Sequence, residues 1–364
     1  MPASITTFSA PSVDVYFFSH RANVDGQPSK HLAQFITGAT KSLDVAIYDL
    51  KHPDIVKALQ TAAKKVKLRI AFDGGPVKSV KGGTMADPKP AGTEQVLKQA
   101  GLLKYATSIH VAGRHLMHSK YIVRDGKQVW TGSGNWTHGG LDLQDNNYLA
   151  IQSPALAAAY EASFTYLISP AHAHPTKPKV AGKVPVIKLA SITMSPYFSG
   201  GGVETEQLEI AIVDRIKKAK KIRLIAMLVS DQGILDALKA FQPAGKDIRG
   251  ILDPHEMKQV MHPSGGKSKK NPALFWFANG DKRFVAAPTH AYSHSDNNDF
   301  MHNKIMILDG KTLVVGSYNF SENAESNDEN ILIIESAAMA AAYQKYFDAM
   351  FAQYTKHGAK LPPI

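Results

Sequence analysis

Cysteine is absent from this chain of 364 residues. Its absence removes disulfide staples, thiolate zinc sites and a cysteine nucleophile together, so any chemistry falls to histidine, lysine, serine and carboxylates. Long apolar runs are missing too, and none approaches the roughly 18 residues that a membrane-spanning helix needs. Residues 1–9 show neither the basic nor the apolar block of a signal peptide; the compartment stays open. Acidic charge is in deficit: 31 Asp and Glu stand against 42 Lys and Arg, for a formal charge of +11. A basic surface favours polyanionic partners, either nucleic acid or an anionic membrane surface. What is present, 44% hydrophobic and 20% charged residues, is the composition of a soluble globular protein long enough for two domains with their own cores.

One pattern occurs twice. His118-Ser119-Lys120 is followed by Asp125 and by Gly132-Ser133-Gly134-Asn135; His302-Asn303-Lys304 is followed by Asp309 and by Gly316-Ser317-Tyr318-Asn319. The two histidines are 184 positions apart, and so are the two asparagines. A single such match carries little information, whereas two at one spacing inside a duplicated context carry much.

The duplication extends beyond the motif. Residues 15–19 match 194–199. Amphipathic helical patterns follow at 31–39 and 208–219, then buried-strand patterns at 42–49 and 221–229, a helix at 55–64 and at 234–241, and a strand at 67–73 and at 247–253. The runs 121–123 and 305–308 put each motif lysine at or beside the start of a strand. Each half closes on an alanine-rich helical stretch, 153–160 and 336–343. Strands alternating with helices predict an α/β fold of two duplicated sandwich halves, each a mixed β-sheet flanked by helices. The stretch from 169 to 188, rich in Pro, Ala, Lys and His, has neither helical nor strand period. The expected organisation is therefore a first half over 1–170, a linker over 171–188 and a second half over 189–364.

Displacement at a phosphodiester needs an in-line nucleophile, a proton donor for the leaving oxygen, and cations or hydrogen-bond donors around the non-bridging oxygens. A pair of histidines can do the first two jobs. Lys120 and Lys304 supply charge, and Ser133, Asn135, Ser317 and Asn319 supply hydroxyl and amide donors, with no metal or other cofactor required. The one-residue gap between each histidine and its lysine puts both on one face of an extended segment. Asp125-Gly126 and Asp309-Gly310 are turn signals between apolar runs, so these aspartates read as structural.

This constellation resembles the phospholipase D superfamily, whose signature is His-x-Lys-x4-Asp followed by Gly-Ser-x-Asn, and the resemblance covers essentially the whole chain. It implies two halves about a pseudo-two-fold axis with both motifs in one cleft, and a covalent phosphohistidine intermediate. It also implies His118 as nucleophile and His302 as general acid and then base. Two motifs in one chain remove the need for a dimer, so a monomer is expected. The segment 327–330 resembles the family stretch whose glutamate, here Glu329, accepts from a catalytic histidine; Asn146 holds the aligned place in the first half. Pairing each with the histidine of its own half predicts that Asn146 serves His118 and Glu329 makes His302 the more basic ring, with Asp142 or Asp145 as competing partners for His118.

Two histidine groups, 110–118 and 290–296, have no regular ligand spacing and read as loop residues rather than metal sites. Two loops, 76–92 and 255–271, stand out for length, the first as a docking loop for lipid. The lysines of 267–270, near Arg283 and the aromatic cluster 275–277, are secondary candidates for contact with backbone phosphates, while alternation with Leu274 favours the core for the aromatic cluster itself. The strings 132–137 and 316–321 resemble the nuclease branch of the superfamily. The primary expectation is therefore a nuclease acting on DNA or RNA, with a phospholipase D that hydrolyses or transfers phosphatidyl groups as the alternative.

Overall fold

The computed structural model describes residues 5–75, 91–111, 115–170, 172, 184–199, 205–241, 247–261, 282–293 and 297–360. Most of the loop 76–92, the lysines of 267–270, the cluster 275–277, residues 294–296 and the linker stretch 173–183 lie outside them.

The first sheet contains β1 (Thr7–Ala10), β2 (Val13–Ser19), β3 (Val24–Asp25), β4 (Ser42–Ile47), β5 (Lys67–Asp73), β6 (Ala106–Ile109), β7 (Lys120–Arg124), β8 (Gln128–Gly132) and β9 (Asn146–Gln152). Their order is β1-β2-β9-β8-β7-β4-β5-β6, with β3 on β2. The second contains β10 (Ile187–Leu189), β11 (Ile192–Ser199), β12 (Lys221–Ala226), β13 (Asp247–Leu252), β14 (Phe284–Ala286), β15 (Lys304–Leu308), β16 (Thr312–Gly316) and β17 (Glu329–Glu335). Its order, β10-β11-β17-β16-β15-β12-β13-β14, repeats the first apart from β3. In each sheet three strands run parallel and the rest antiparallel, so both sheets are mixed. The central strands are covered on both faces, so β4, β12 and β15 are buried along nearly their whole length rather than at alternate residues.

Helices Pro28–Thr37, Pro53–Ala62 and Ala91–Gln99 cover the outer face of the first sheet, and Thr205–Lys218, Gln232–Lys239 and Pro254–Met261 cover that of the second. The inner faces share one core. Into it run helices Pro154–Leu167 and Ala337–His357, whose first turns are capped alike: Ser153 Oγ accepts from Leu156 N–H and Ser336 Oγ from Met339 N–H. The second helix is 21 residues against 14, and three of its tyrosines reach across the interface, the last of them, Tyr354, from the extra turns. Tyr343 donates to Asn147 Oδ1 at 3.1 Å, Tyr346 to the Phe18 carbonyl at 2.7 Å and Tyr354 to Asp145 Oδ2 at 2.6 Å.

The turns joining β7 to β8 and β15 to β16 use positive-φ pairs, Asp125-Gly126 (57° and 62°) and Asp309-Gly310 (51° and 64°), closed by Lys127 N–H to the Arg124 carbonyl at 3.0 Å and Lys311 N–H to the Leu308 carbonyl at 3.1 Å. The Asp125 carboxylate accepts from the N–H groups of Thr40, Lys41 and Ser42, and that of Asp309 from Lys220 and Lys221. Both sit at the far end of their strands from the motif lysines. At the near end, Gly132 and Gly316 admit the neighbouring strand: a Cβ would lie 2.4 Å from the Asn147 carbonyl oxygen and 2.2 Å from that of Asn330.

Candidate active site

The halves meet along the motifs by reciprocal backbone bonds. His118 N–H donates to the Asp328 carbonyl at 2.9 Å and Asp328 N–H to that of Leu116 at 2.8 Å; His302 N–H donates to Asp145 O and Asp145 N–H to Phe300 O, both at 3.0 Å. Contacts repeated in both directions are the mark of a two-fold relation. The residue before each histidine is held by its own half: the strand-end carboxylates of Asp73 and Asp253 accept from Met117 N–H at 2.9 Å and Met301 N–H at 3.1 Å.

This exchange overturns the pairing expected from the sequence. Asn146 is not the partner of His118. His118 Nδ1 lies 2.8 and 2.9 Å from the two Glu329 oxygens, and His302 Nδ1 lies 3.1 Å from Asn146 Oδ1. Alignment paired residues within a half, whereas the pseudo-two-fold brings the start of β17 to the first motif and the start of β9 to the second. Nor do the competing aspartates reach His118: Asp142 pairs with His52 and His138, and Asp145 with Tyr354.

The two motif serines also differ from expectation. Both are fully buried and spend their hydroxyl donors within the protein; Ser133 Oγ donates to Asn146 Oδ1 at 2.7 Å and Ser317 Oγ to Glu329 Oε2 at 2.6 Å. They orient the groups that orient the histidines. Asn146 Nδ2 donates to the Gly140 carbonyl at 2.9 Å, which fixes the amide with its oxygen toward His302. A carboxylate can only accept, so His118 carries its proton on Nδ1 and leaves the Nε2 lone pair unprotonated.

Lys120 and Lys304 are each 1% exposed. Their ammonium groups donate to the carbonyls of His118 at 2.5 Å and His302 at 2.6 Å. Burial pushes Lys120 down to about 7 against the pull of Glu329, Asp73 and Asp49, and pushes Lys304 well below its ordinary range, where Lys120 adds to the effect. His118 is lowered to about 4 by burial, opposed by Glu329 and reinforced by both lysines. His302 is lowered strongly by burial, then by Lys304, Lys120 and His118, with no carboxylate to offset them. The ordering expected from sequence is thus reversed, because the carboxylate stands on the other ring. Burial alone would raise Glu329, but His118, Lys120 and Ser317 hold it below the usual carboxylate range. Two imidazoles and two ammonium groups are thus crowded out of water, with Glu329 the carboxylate bonded among them, and the downward shifts show that the cluster disfavours further positive charge until an anion joins it.

Asn135 and Asn319 follow the serines on the two loops. Their side chains make no hydrogen bond among the described residues, and both amide oxygens are buried. Sequence reasoning missed Tyr48, which stands one residue beyond β4 with its ring 5.0 Å from that of His118 and 5.1 Å from Lys120 Nζ. Nothing in the duplication signals it, since Met227 fills the corresponding place. Asp73 and Asp253, at matching strand ends, could have been found from the duplication.

A family model described as "Cardiolipin synthase, PLD-like domain" matches residues 32–168 and 212–351, well over half of the chain, with one repeat in each half. The chain belongs to the phospholipase D superfamily. Mitochondrial cardiolipin hydrolase of Xenopus laevis is 37% identical over 65 residues, 18% of this chain and 31% of that protein. Phospholipase D of Rickettsia prowazekii (strain Madrid E) is 33% identical over 139 residues, 37% of this chain and 59% of its own length. The chain thus spans less than two thirds of these curated relatives. Phosphatidylserine synthase of Haemophilus influenzae Rd KW20 shares the fold, with a TM-score of 0.64 over 98% of this chain and 91% of that one at 14% identity. None of the described helices of this phospholipase D-like chain is long and apolar enough to cross a membrane.

Proposed function

We propose that the chain cleaves phospholipid phosphodiesters through a covalent intermediate on His118. The observation that carries the reading is the buried cluster of His118, His302, Lys120 and Lys304 beside Glu329, the carboxylate bonded to the His118 ring. A phosphodiester anion supplies the negative charge that the cluster lacks. In the first step His118 Nε2 attacks phosphorus in line, and His302 donates a proton to the leaving alcohol oxygen as its bond to phosphorus breaks. Bonding at Nε2 while Nδ1 keeps its proton makes the His118 ring cationic, and Glu329 is its counter-ion. The carboxylate therefore stabilises the transition state more than the free ring, which is the differential that accelerates a reaction. His302, neutral in the empty site, gains its proton when the substrate anion enters. In the second step it takes a proton from water or an alcohol, whose oxygen displaces His118. Lys120, Lys304 and the amides of Asn135 and Asn319 hold the non-bridging oxygens.

The names of the curated relatives favour lipid over nucleic acid, and the net charge of +11 suits an anionic membrane surface. The same charge supports a second reading, cleavage of DNA or RNA. Incubation in EDTA with vesicles of phosphatidylcholine and cardiolipin plus ethanol, and separately with plasmid, single-stranded DNA and RNA, distinguishes them. Phosphatidic acid or phosphatidylethanol supports the lipid reading; shortened nucleic acid with intact lipid overturns it in favour of the second.

A further inference from the structure

The linker between the halves contributes a side chain to the interface behind the reacting groups. His172 follows helix Pro154–Leu167; its N–H donates to the Ser169 carbonyl at 3.1 Å and its ring meets that of Tyr166 edge-on at 5.6 Å. It is 6% exposed, and its Nε2 lies 3.0 and 2.9 Å from the two carboxylate oxygens of Asp328, itself 2% exposed. Asp328 is the residue before Glu329. Its carbonyl accepts the N–H of His118 at 2.9 Å and the hydroxyl of Ser119 at 3.1 Å. Asp328 and Glu329 thus clamp His118 twice, by its main chain and by its ring, and the first of the pair is secured from the linker. The second half offers the matching case: Asp145 takes the His302 N–H, and its carboxylate is held by the phenol of Tyr354 instead.

We propose that His172 is a positioning residue for His118, holding the Asp328–Glu329 clamp through the buried Asp328 carboxylate. The inference rests on the reading of His118 as nucleophile. Without a donor at this place, Asp328 keeps a buried carboxylate with no partner, which costs free energy until the segment shifts to find one. A shift of that segment moves the Glu329 carboxylate and the His118 main chain together, and an error of about 1 Å in a reacting group costs up to roughly a hundred-fold in rate. Substrate contacts made by Lys120, Lys304 and the asparagines are untouched.

The test compares wild type, His172→Phe and His172→Gln with bis(p-nitrophenyl) phosphate in EDTA, each first shown to be folded by circular dichroism. The phenylalanine variant is expected to lose roughly ten- to a hundred-fold in kcat with KM within about two-fold, and glutamine, which keeps an N–H donor, to regain most of the loss. Should the phenylalanine variant not fold, His172→Ala, which leaves room for water beside Asp328, is judged by the same thresholds. Wild-type kcat in the folded variant, a change in KM alone, or a glutamine variant as impaired as phenylalanine overturns the inference while the reading of the site stands. A wild type inactive on every phosphodiester removes both.

Discussion

Glu329→Gln removes one charge from the centre of the site while keeping shape. Its carboxylate sits 2.8 and 2.9 Å from His118 Nδ1 and is 1% exposed. Glutamine still offers an oxygen to either His118 or Ser317, so the fold is retained. On the proposed mechanism, what disappears is the counter-ion of the cationic ring. A hydrogen bond to a charged group contributes about 1.5–3 kcal/mol over none, and a unit charge pair about 4 Å apart is worth about 4 kcal/mol at an effective dielectric constant near 20. A loss between about 2 and 4 kcal/mol in the first transition state follows, roughly 30- to 1,000-fold in the rate of intermediate formation. Because Glu329 opposes the downward shift of His118, its removal also moves the acid limb of kcat/KM to lower pH. Stopped-flow turnover of a chromogenic phosphodiester from about pH 3 to 9 reads both effects. A variant with wild-type kcat, or one whose whole loss lies in KM, would refute the role given to the carboxylate.

Three further expectations follow from the same geometry. Asn146→Asp gives His302 a carboxylate, which raises its pKa; if His302 is the acid, the alkaline limb of kcat moves to higher pH, and an unmoved limb in a pH profile contradicts that role. Inorganic phosphate, filling the cation cluster, raises the melting temperature in calorimetry, with about 2.7 kcal/mol gained at a hundred times its Kd; Lys120→Met is expected to lose most of that gain, and an equal response in the variant argues against Lys120 as an anion ligand. Asp125→Ala removes the acceptor of three backbone N–H groups at an accessible turn, costing about 1–2 kcal/mol in urea unfolding with kcat unchanged at temperatures where the variant is folded; a comparable fall in kcat would place Asp125 in the chemistry.

The duplicated strand and helix patterns were legible because their periods are local. Residues 67–73 are a strand with the bounds read from the sequence, and the other matched elements shift by a few residues. The shared site was legible too, because two motifs at one offset imply that the halves face each other. What stayed hidden lies across the interface. Glu329 and Asn146 were both singled out, yet each was given to the wrong histidine, since alignment compares equivalent positions and cannot show that a two-fold exchanges partners. The bonds of Ser133 to Asn146 and of Ser317 to Glu329 were not legible, for want of any sign that these neighbours needed orienting. The extra turns of helix Ala337–His357 and the linker's His172 have no counterpart in the first half, so the repeat that revealed the rest could not point to them.

The most direct test of the account is to trap the intermediate. The wild type and the His118→Ala and His302→Ala variants are mixed with labelled substrate, quenched in alkali, where phosphohistidine survives, and digested for mass spectrometry. The label is expected on the peptide containing His118, increased in the His302 variant and absent from the His118 variant. Label on His302, or turnover by the His118 variant, would contradict the division of labour drawn from the Glu329 and Asn146 pairings.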